Sequence, residues 1–105
     1  MIRSFRDKLT ARAWAGERVR EFQAFLPQAQ RRLRVLHDAE TLADLRALPS
    51  NHFEALSGDR TGQYSIRINS QWRICFRWDA TEAAEGRDPL TVRGEATHVG
   101  IIDYH

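Results

Sequence analysis

Two runs of strictly alternating side chains stand on either side of a short break in the second half of the chain. Tyr64, Ile66 and Ile68 alternate with Gln63, Ser65, Arg67 and Asn69. After Asn69-Ser70-Gln71 turns the chain, Trp72, Ile74, Phe76 and Trp78 alternate with Arg73, Cys75 and Arg77. A period of two is that of half-buried strands, and two such runs about a short turn predict an antiparallel hairpin. One face then carries Tyr64, Ile66, Ile68, Ile74 and Phe76 and has to be covered. The other carries Arg67, Arg73, Arg77 and Asn69 and faces away from the cover.

The first half of the chain supplies the cover. Leu26, Ala29, Leu33 and Leu36 form an apolar stripe at helical spacing, which predicts a helix from about Pro27 to Ala39, with Arg31, Arg32 and Arg34 off the stripe. Pro27 suits its first turn. Asp7 to Trp14 reads as a shorter helix with a carboxylate near its start, interrupted by Gly16. Thr41 is placed to cap a third helix, Leu42 to Leu48, with Asp44 at its third position, before Pro49-Ser50-Asn51 stops it. Ile2 to Phe5 reads as a first strand and Thr97 to Asp103 as a last one. Gly58 to Gly62 is rich in turn residues. The polar stretch 79–95 is expected to be an extended loop, with a short strand at Leu90–Val92. Helices first and strands later predict an α+β fold with N-terminal helices packed on an antiparallel sheet. At 105 residues the chain fits one domain, 1–105.

Composition narrows the function classes. No apolar run approaches the roughly 18–20 residues of a membrane span, and no apolar stretch follows the basic residues at the N-terminus, so neither a span nor a secretory signal is expected. Cys75 is the one cysteine, which excludes an internal disulfide and a cysteine-built zinc site; between Ile74 and Phe76 it reads as a small buried residue. Histidines 37, 52, 98 and 105 show no metal-binding spacing, and His37 and His52 are expected to be exposed. A cytoplasmic protein with no metal or cofactor is expected. The net charge is only +2, but every basic residue except Lys8 is arginine. Between Gly58 and Trp78 stand Arg60, Arg67, Arg73 and Arg77 against one acid, Asp59. This locally basic stretch suits a polyanionic partner.

The block Phe53-Glu54-Ala55-Leu56-Ser57-Gly58-Asp59-Arg60-Thr61-Gly62-Gln63-Tyr64-Ser65-Ile66-Arg67-Ile68-Asn69-Ser70-Gln71-Trp72-Arg73-Ile74-Cys75-Phe76 strongly resembles the HigB family of toxins, within the RelE/ParE superfamily of toxin–antitoxin modules. The closing Asp103-Tyr104-His105, the opening Ile2-Arg3-Ser4-Phe5 and Asp44-Leu45-Arg46 ahead of Pro49 fit as well. The resemblance implies a RelE-like fold, helices against a small curved sheet. It also implies metal-free cleavage of messenger RNA in the ribosomal A site. The partner it implies is a HigA-like helix-turn-helix antitoxin, which alone would bring the toxin to operator DNA. Trp14, Val19, Phe22 and Phe25 either form the antitoxin's docking surface or close the core. The alternatives are a ParE-like toxin acting on gyrase without acid–base chemistry, or a degenerate chain that only binds antitoxin; Asp103-Tyr104-His105 argues against both.

Metal-free cleavage turns the ribose 2′-OH on its own neighbouring phosphate. It needs a base for the 2′ proton, an acid for the departing 5′ oxygen and a cation for the phosphorane charge. His105 suits proton transfer near neutral pH. Asp103 shares its strand parity and is a candidate to orient it or to take a proton, and Tyr104 to stack or donate. Arg73, after Trp72, matches an arginine characteristic of these toxins and is the candidate for the phosphorane. Arg60, Arg67 and Arg77 are candidates for holding RNA phosphates. Some relatives carry a histidine within Leu-His-Pro-Leu where this chain has Phe53-Glu54-Ala55-Leu56, so the base is left open between Glu54, Asp103 and His105. Ser57 replaces a lysine common in relatives.

Overall fold

The computed structural model describes residues 1–103. Three helices come first: α1 (Lys8–Trp14), α2 (Leu26–Asp38) and α3 (Leu42–Arg46). Four strands follow, β1 (Glu54–Ala55), β2 (Gln63–Arg67), β3 (Trp72–Ala80) and β4 (Gly94–Asp103). They form one antiparallel sheet in the order β1-β2-β3-β4. The α+β architecture expected from the two periodicities is the one that forms.

The helix ends follow their local chemistry. Asp7 accepts a hydrogen bond from the Thr10 amide at 2.8 Å and starts α1. Ala29, Leu33 and Leu36, the stripe on α2, are wholly buried. Thr41 and Asp44 bond each other's backbone at 3.3 and 3.1 Å, a reciprocal cap on α3. That helix ends at Arg46, earlier than the pattern suggested. Leu48 is exposed, and Pro49–Asn51 forms a 3₁₀ turn.

Ile66, Ile74 and Phe76 on the covered face of the hairpin are fully buried, with Tyr64 and Ile68 packed at the margin. The connection from α1 to α2 belongs to this core. Val19, Phe22 and Phe25 are buried, and the rings of Phe22 and Phe25 lie 5.8 and 4.8 Å from that of Trp72. They are therefore not available as a docking surface. Their recurrence every three residues reflects a 3₁₀ turn at Arg20–Phe22 that points both rings at the sheet. His37 is half-buried instead of exposed. Its Nδ1 accepts from the Ile2 amide at 3.1 Å, and its ring lies 4.9 Å from that of Trp14.

Two expected strands take other forms. Ile2 to Phe5 runs parallel to β4 but makes only isolated bridges, Ile2 to Ala96 and Phe5 to Val99. A bulge in β4 interrupts the ladder there: Cys75 pairs with Gly100 and Arg77 with Thr97, so β4 carries one residue more than β3. The Ser4 hydroxyl caps the gap by accepting from the His98 amide at 3.0 Å. Pro89–Thr91 is a 3₁₀ turn, because the Asp88 carboxylate takes the Leu90 amide at 3.0 Å and starts a turn there. Residues 81–93 join β3 to β4. Glu82 tethers this segment by accepting from the Arg93 amide at 2.8 Å and pairing with Arg87 at 3.0 Å. The Arg93 amide, then the Arg87 and Arg93 charges, hold the Glu82 carboxyl below its ordinary range.

Candidate functional site

Residues directly opposite in an antiparallel ladder point to the same side of the sheet. Glu54, Ser65, Cys75 and Gly100 therefore form one row across all four strands, on the face turned from the helices. Arg67 and Arg73 make the next row towards the hairpin turn. Gln63 and Arg77 make the next row the other way.

Arg73 is the centre of the first end. Its side chain is only 12% exposed. Nε donates to the Ser65 hydroxyl at 2.8 Å, and a terminal nitrogen donates to the His52 carbonyl at 2.6 Å. The Glu54 carboxylate lies 3.8 Å away. The His52 carbonyl can face Arg73 because His52 takes the left-handed conformation, φ 43°. Asn51, wholly buried just before it, secures that turn. Its amide donates to the Leu45 carbonyl at 2.9 Å, and its oxygen accepts from Arg32 on α2. The helices thus fix the arginine through the backbone between them and β1. Arg67 donates from Nε to the Asn69 carbonyl at 3.0 Å, and a terminal nitrogen lies 3.5 Å from His52 Nε2.

Beneath these side chains lies Cys75, 1% exposed. Burial raises the Cys75 pKa above its ordinary value, although the charges of Arg60, Arg73 and Arg6 oppose the shift. The thiol stays protonated at neutral pH and is no nucleophile.

The second end lies beyond this row, where the bulge distorts β4. His98 is exposed and left-handed, φ 53°; it and His52 are the only non-glycine residues with positive φ among those described. Arg6, Arg60, Gln63, Arg77 and His98 line a cavity of about 240 Å³. Arg6 reaches this face by lying across Gly100, where an added Cβ would sit 3.0 Å from Arg6 Cδ.

The structure thus brings Arg73, Glu54 and Arg67 together and groups Arg60 with Arg77 at the other end. Asp103 ends β4, opposite Trp72, and accepts from Gln71 Nε2 at 3.1 Å. Tyr104 and His105 lie outside the described residues. Sequence reasoning missed His52, Ser65, Arg6 and His98. Ser65 had a signal, a small polar residue between Gln63 and Arg67 on the arginine face. His52 acts through its carbonyl, which no side-chain pattern reveals.

The family described as the RelE-like toxin of type II toxin–antitoxin system HigB matches residues 3–89. A Vibrio cholerae protein named Toxin HigB-1 is 46% identical over 48 residues, 46% of this chain and 50% of that protein. An uncharacterized protein of Haemophilus influenzae is 36% identical over 52 residues, 50% of this chain and 52% of its own length. The chain thus spans about half the length of the curated relatives it matches. Among the described residues no helix is long and apolar enough to cross a membrane.

Proposed function

The chain belongs to the HigB-like family of RelE-like toxins of type II toxin–antitoxin systems, and from that premise we propose that it is a metal-free endoribonuclease that cuts messenger RNA in the ribosomal A site. The observation that carries this reading is Arg73: a largely buried guanidinium, oriented by Ser65 and the His52 carbonyl, on a face rich in arginine. Charge fixed before reaction stabilises a phosphorane more than charge that must first be ordered. The 2′ oxygen attacks phosphorus as its proton passes to a base, and the bond to the 5′ oxygen breaks as an acid returns a proton there. The products are a 2′,3′-cyclic phosphate and a free 5′-OH. Glu54, 3.8 Å from Arg73, and His105 are the candidates for proton transfer, and Tyr104 for stacking; Asp103 pairs with Trp72, on the other side of the sheet from Arg73, and is kept for orienting His105. Arg60, Arg67 and Arg77 hold neighbouring phosphates.

A type II toxin implies a cognate antitoxin. In this reading it is a HigA-like helix-turn-helix protein that restrains the toxin in the cytoplasm and links it to operator DNA. Residues 1–105 act as one toxin domain. The test is primer extension on a translated message after induction, with and without ribosomes, together with analysis of the 3′ ends. Cuts that need ribosomes, survive chelation and leave cyclic phosphates are expected. Intact message under growth arrest would refute the activity.

A further inference from the structure

The cavity at the bulged end of the sheet has the makings of a binding site that the reaction itself does not use. Arg6, Arg60 and Arg77 each bring a guanidinium to it, and none has a carboxylate within ion-pair distance among the described residues. At the periphery Arg3, Arg12, Arg34, Arg87 and Arg93 each hold one. The nearby acids are engaged elsewhere: Asp7 caps α1 and Asp79 pairs with Arg3. Arg60 lends one hydrogen bond to Cys75 Sγ, at 3.8 Å, and keeps its other donors. Converging positive charge with unused donors is stabilised by an anion, and an arginine fork fits phosphate oxygens.

Three backbone features serve the cavity. Gly100 leaves room for Arg6 to lie across β4. The bulge turns β4 beside the cavity, and left-handed φ at His98 sets an imidazole on its rim where an ordinary pairing would continue the ladder. At about 240 Å³ it is smaller than the roughly 300–1,000 Å³ of sites for drug-sized molecules and suits a single phosphate group. Arg77 stands four residues along β3 from Arg73, roughly 13 Å at about 3.3 Å per residue. One phosphate cannot be held by both, whereas an extended RNA strand crossing the sheet can reach both.

We infer that Arg6, Arg60, Gln63, Arg77 and His98 form a second phosphate subsite, which grips the RNA backbone away from the scissile bond and sets which phosphate lies at Arg73. This rests on the RNA-cutting reading for its ligand, but its test does not depend on cleavage. The probe is a labelled 2′-O-methyl RNA hexanucleotide, which has no nucleophile and cannot be cut; its anisotropy is followed across a salt series.

Arg77→Ala is expected to weaken binding equally for every base sequence and to lower the salt slope by roughly 0.7, one phosphate contact to a single strand. Arg6→Ala with Arg77→Ala lowers it further. His98→Asn keeps a residue that tolerates left-handed φ and loses only the imidazole, so reduced binding with an unchanged circular dichroism spectrum reports the ring itself. Arg77→Gln serves if the alanine variant fails to fold. Wild-type affinity and slope in a folded double variant would overturn the subsite, as would a pocket that takes inorganic phosphate without affecting the hexanucleotide. A toxin that needs these residues to bind the hexanucleotide yet leaves messages intact would keep the subsite and overturn the cleavage reading. Cleavage with wild-type binding by the double variant would do the reverse.

Discussion

Arg73 already sits where three oxygen-bearing groups hold it, so in the proposed cleavage little ordering would remain as charge develops on phosphorus. Arg73→Ala should lower the single-turnover rate at saturating ribosome by about 10²–10³, as loss of a preorganised donor does elsewhere, with a smaller loss in affinity. Arg67→Ala should do the opposite and weaken binding in a salt-dependent way. Equal effects of both on rate and affinity would refute the division. His105→Ala should cost about 10²–10⁴ in rate if the residue moves a proton, and full cleavage by that folded variant on ribosomes would remove it from the chemistry. Cys75 supplies a pH dependence. Because burial raises its pKa in the fold, the native state keeps its proton at pH values where the unfolded chain loses it. Its contribution is complete below the unfolded pKa and declines as pH rises through the folded value. Urea midpoints should therefore fall on the alkaline side, and less so in Cys75→Ala once its own packing loss is subtracted. A thiol reagent at neutral pH should label the wild type only as fast as it opens.

At the level of elements, the site depends on how the helices hand the chain to the sheet. Asn51 joins α3, α2 and the turn at His52. Asn51→Ala leaves the Leu45 carbonyl only the Leu48 amide at 3.4 Å and leaves Arg32 only the Ser50 hydroxyl at 3.4 Å, at a cost of about 1 kcal/mol. It also frees the carbonyl that orients Arg73, so the cleavage rate should fall along with the unfolding midpoint. A stability loss without a rate loss would show that the turn does not govern the arginine. Gly94 makes a second joint. A Cβ there would sit 2.5 Å from Trp78 Nε1 and 2.6 Å from the Asp79 carbonyl oxygen, and Trp78 Nε1 already donates to the Val92 carbonyl at 3.2 Å. Gly94→Ala should open the β3–β4 pairing next to the 81–93 connection, seen as faster amide exchange than in the wild type at Ala80 and at position 94, with Ile74 and Ile101 unchanged.

For the whole molecule, the position of the aromatics decides how an antitoxin can act. With Phe22 and Phe25 in the core against Trp72, Phe22→Asp should unfold the free toxin instead of leaving a folded chain that fails to bind its antitoxin. A folded Phe22→Asp toxin by circular dichroism would contradict this packing. A helix-turn-helix protein encoded beside the toxin should co-purify with it, and the complex, unlike the toxin, should bind the module's own promoter.

Periodicity alone determined the hairpin, the buried stripe of α2 and the choice of an α+β fold, because a period of 2 or 3.6 is a local property of backbone geometry that solvent reads face by face. The caps at Asp7 and Thr41 were legible for the same reason: donor and acceptor lie within one turn. Arg73 was nameable through its resemblance to a family pattern, and its place on the uncovered face through alternation. What holds it was not. Ser65, the His52 carbonyl and Asn51 reach it from different elements, and a carbonyl has no signature in the side-chain sequence. Two-residue β1 is too short to show a period and forms only because β2 offers it an edge. The bulge at His98 arises where β3, β4 and the N-terminal segment must pair at once. Arg6 meets Arg77 only after some 70 residues of chain have folded back, a separation that pattern cannot bridge and tertiary packing alone closes.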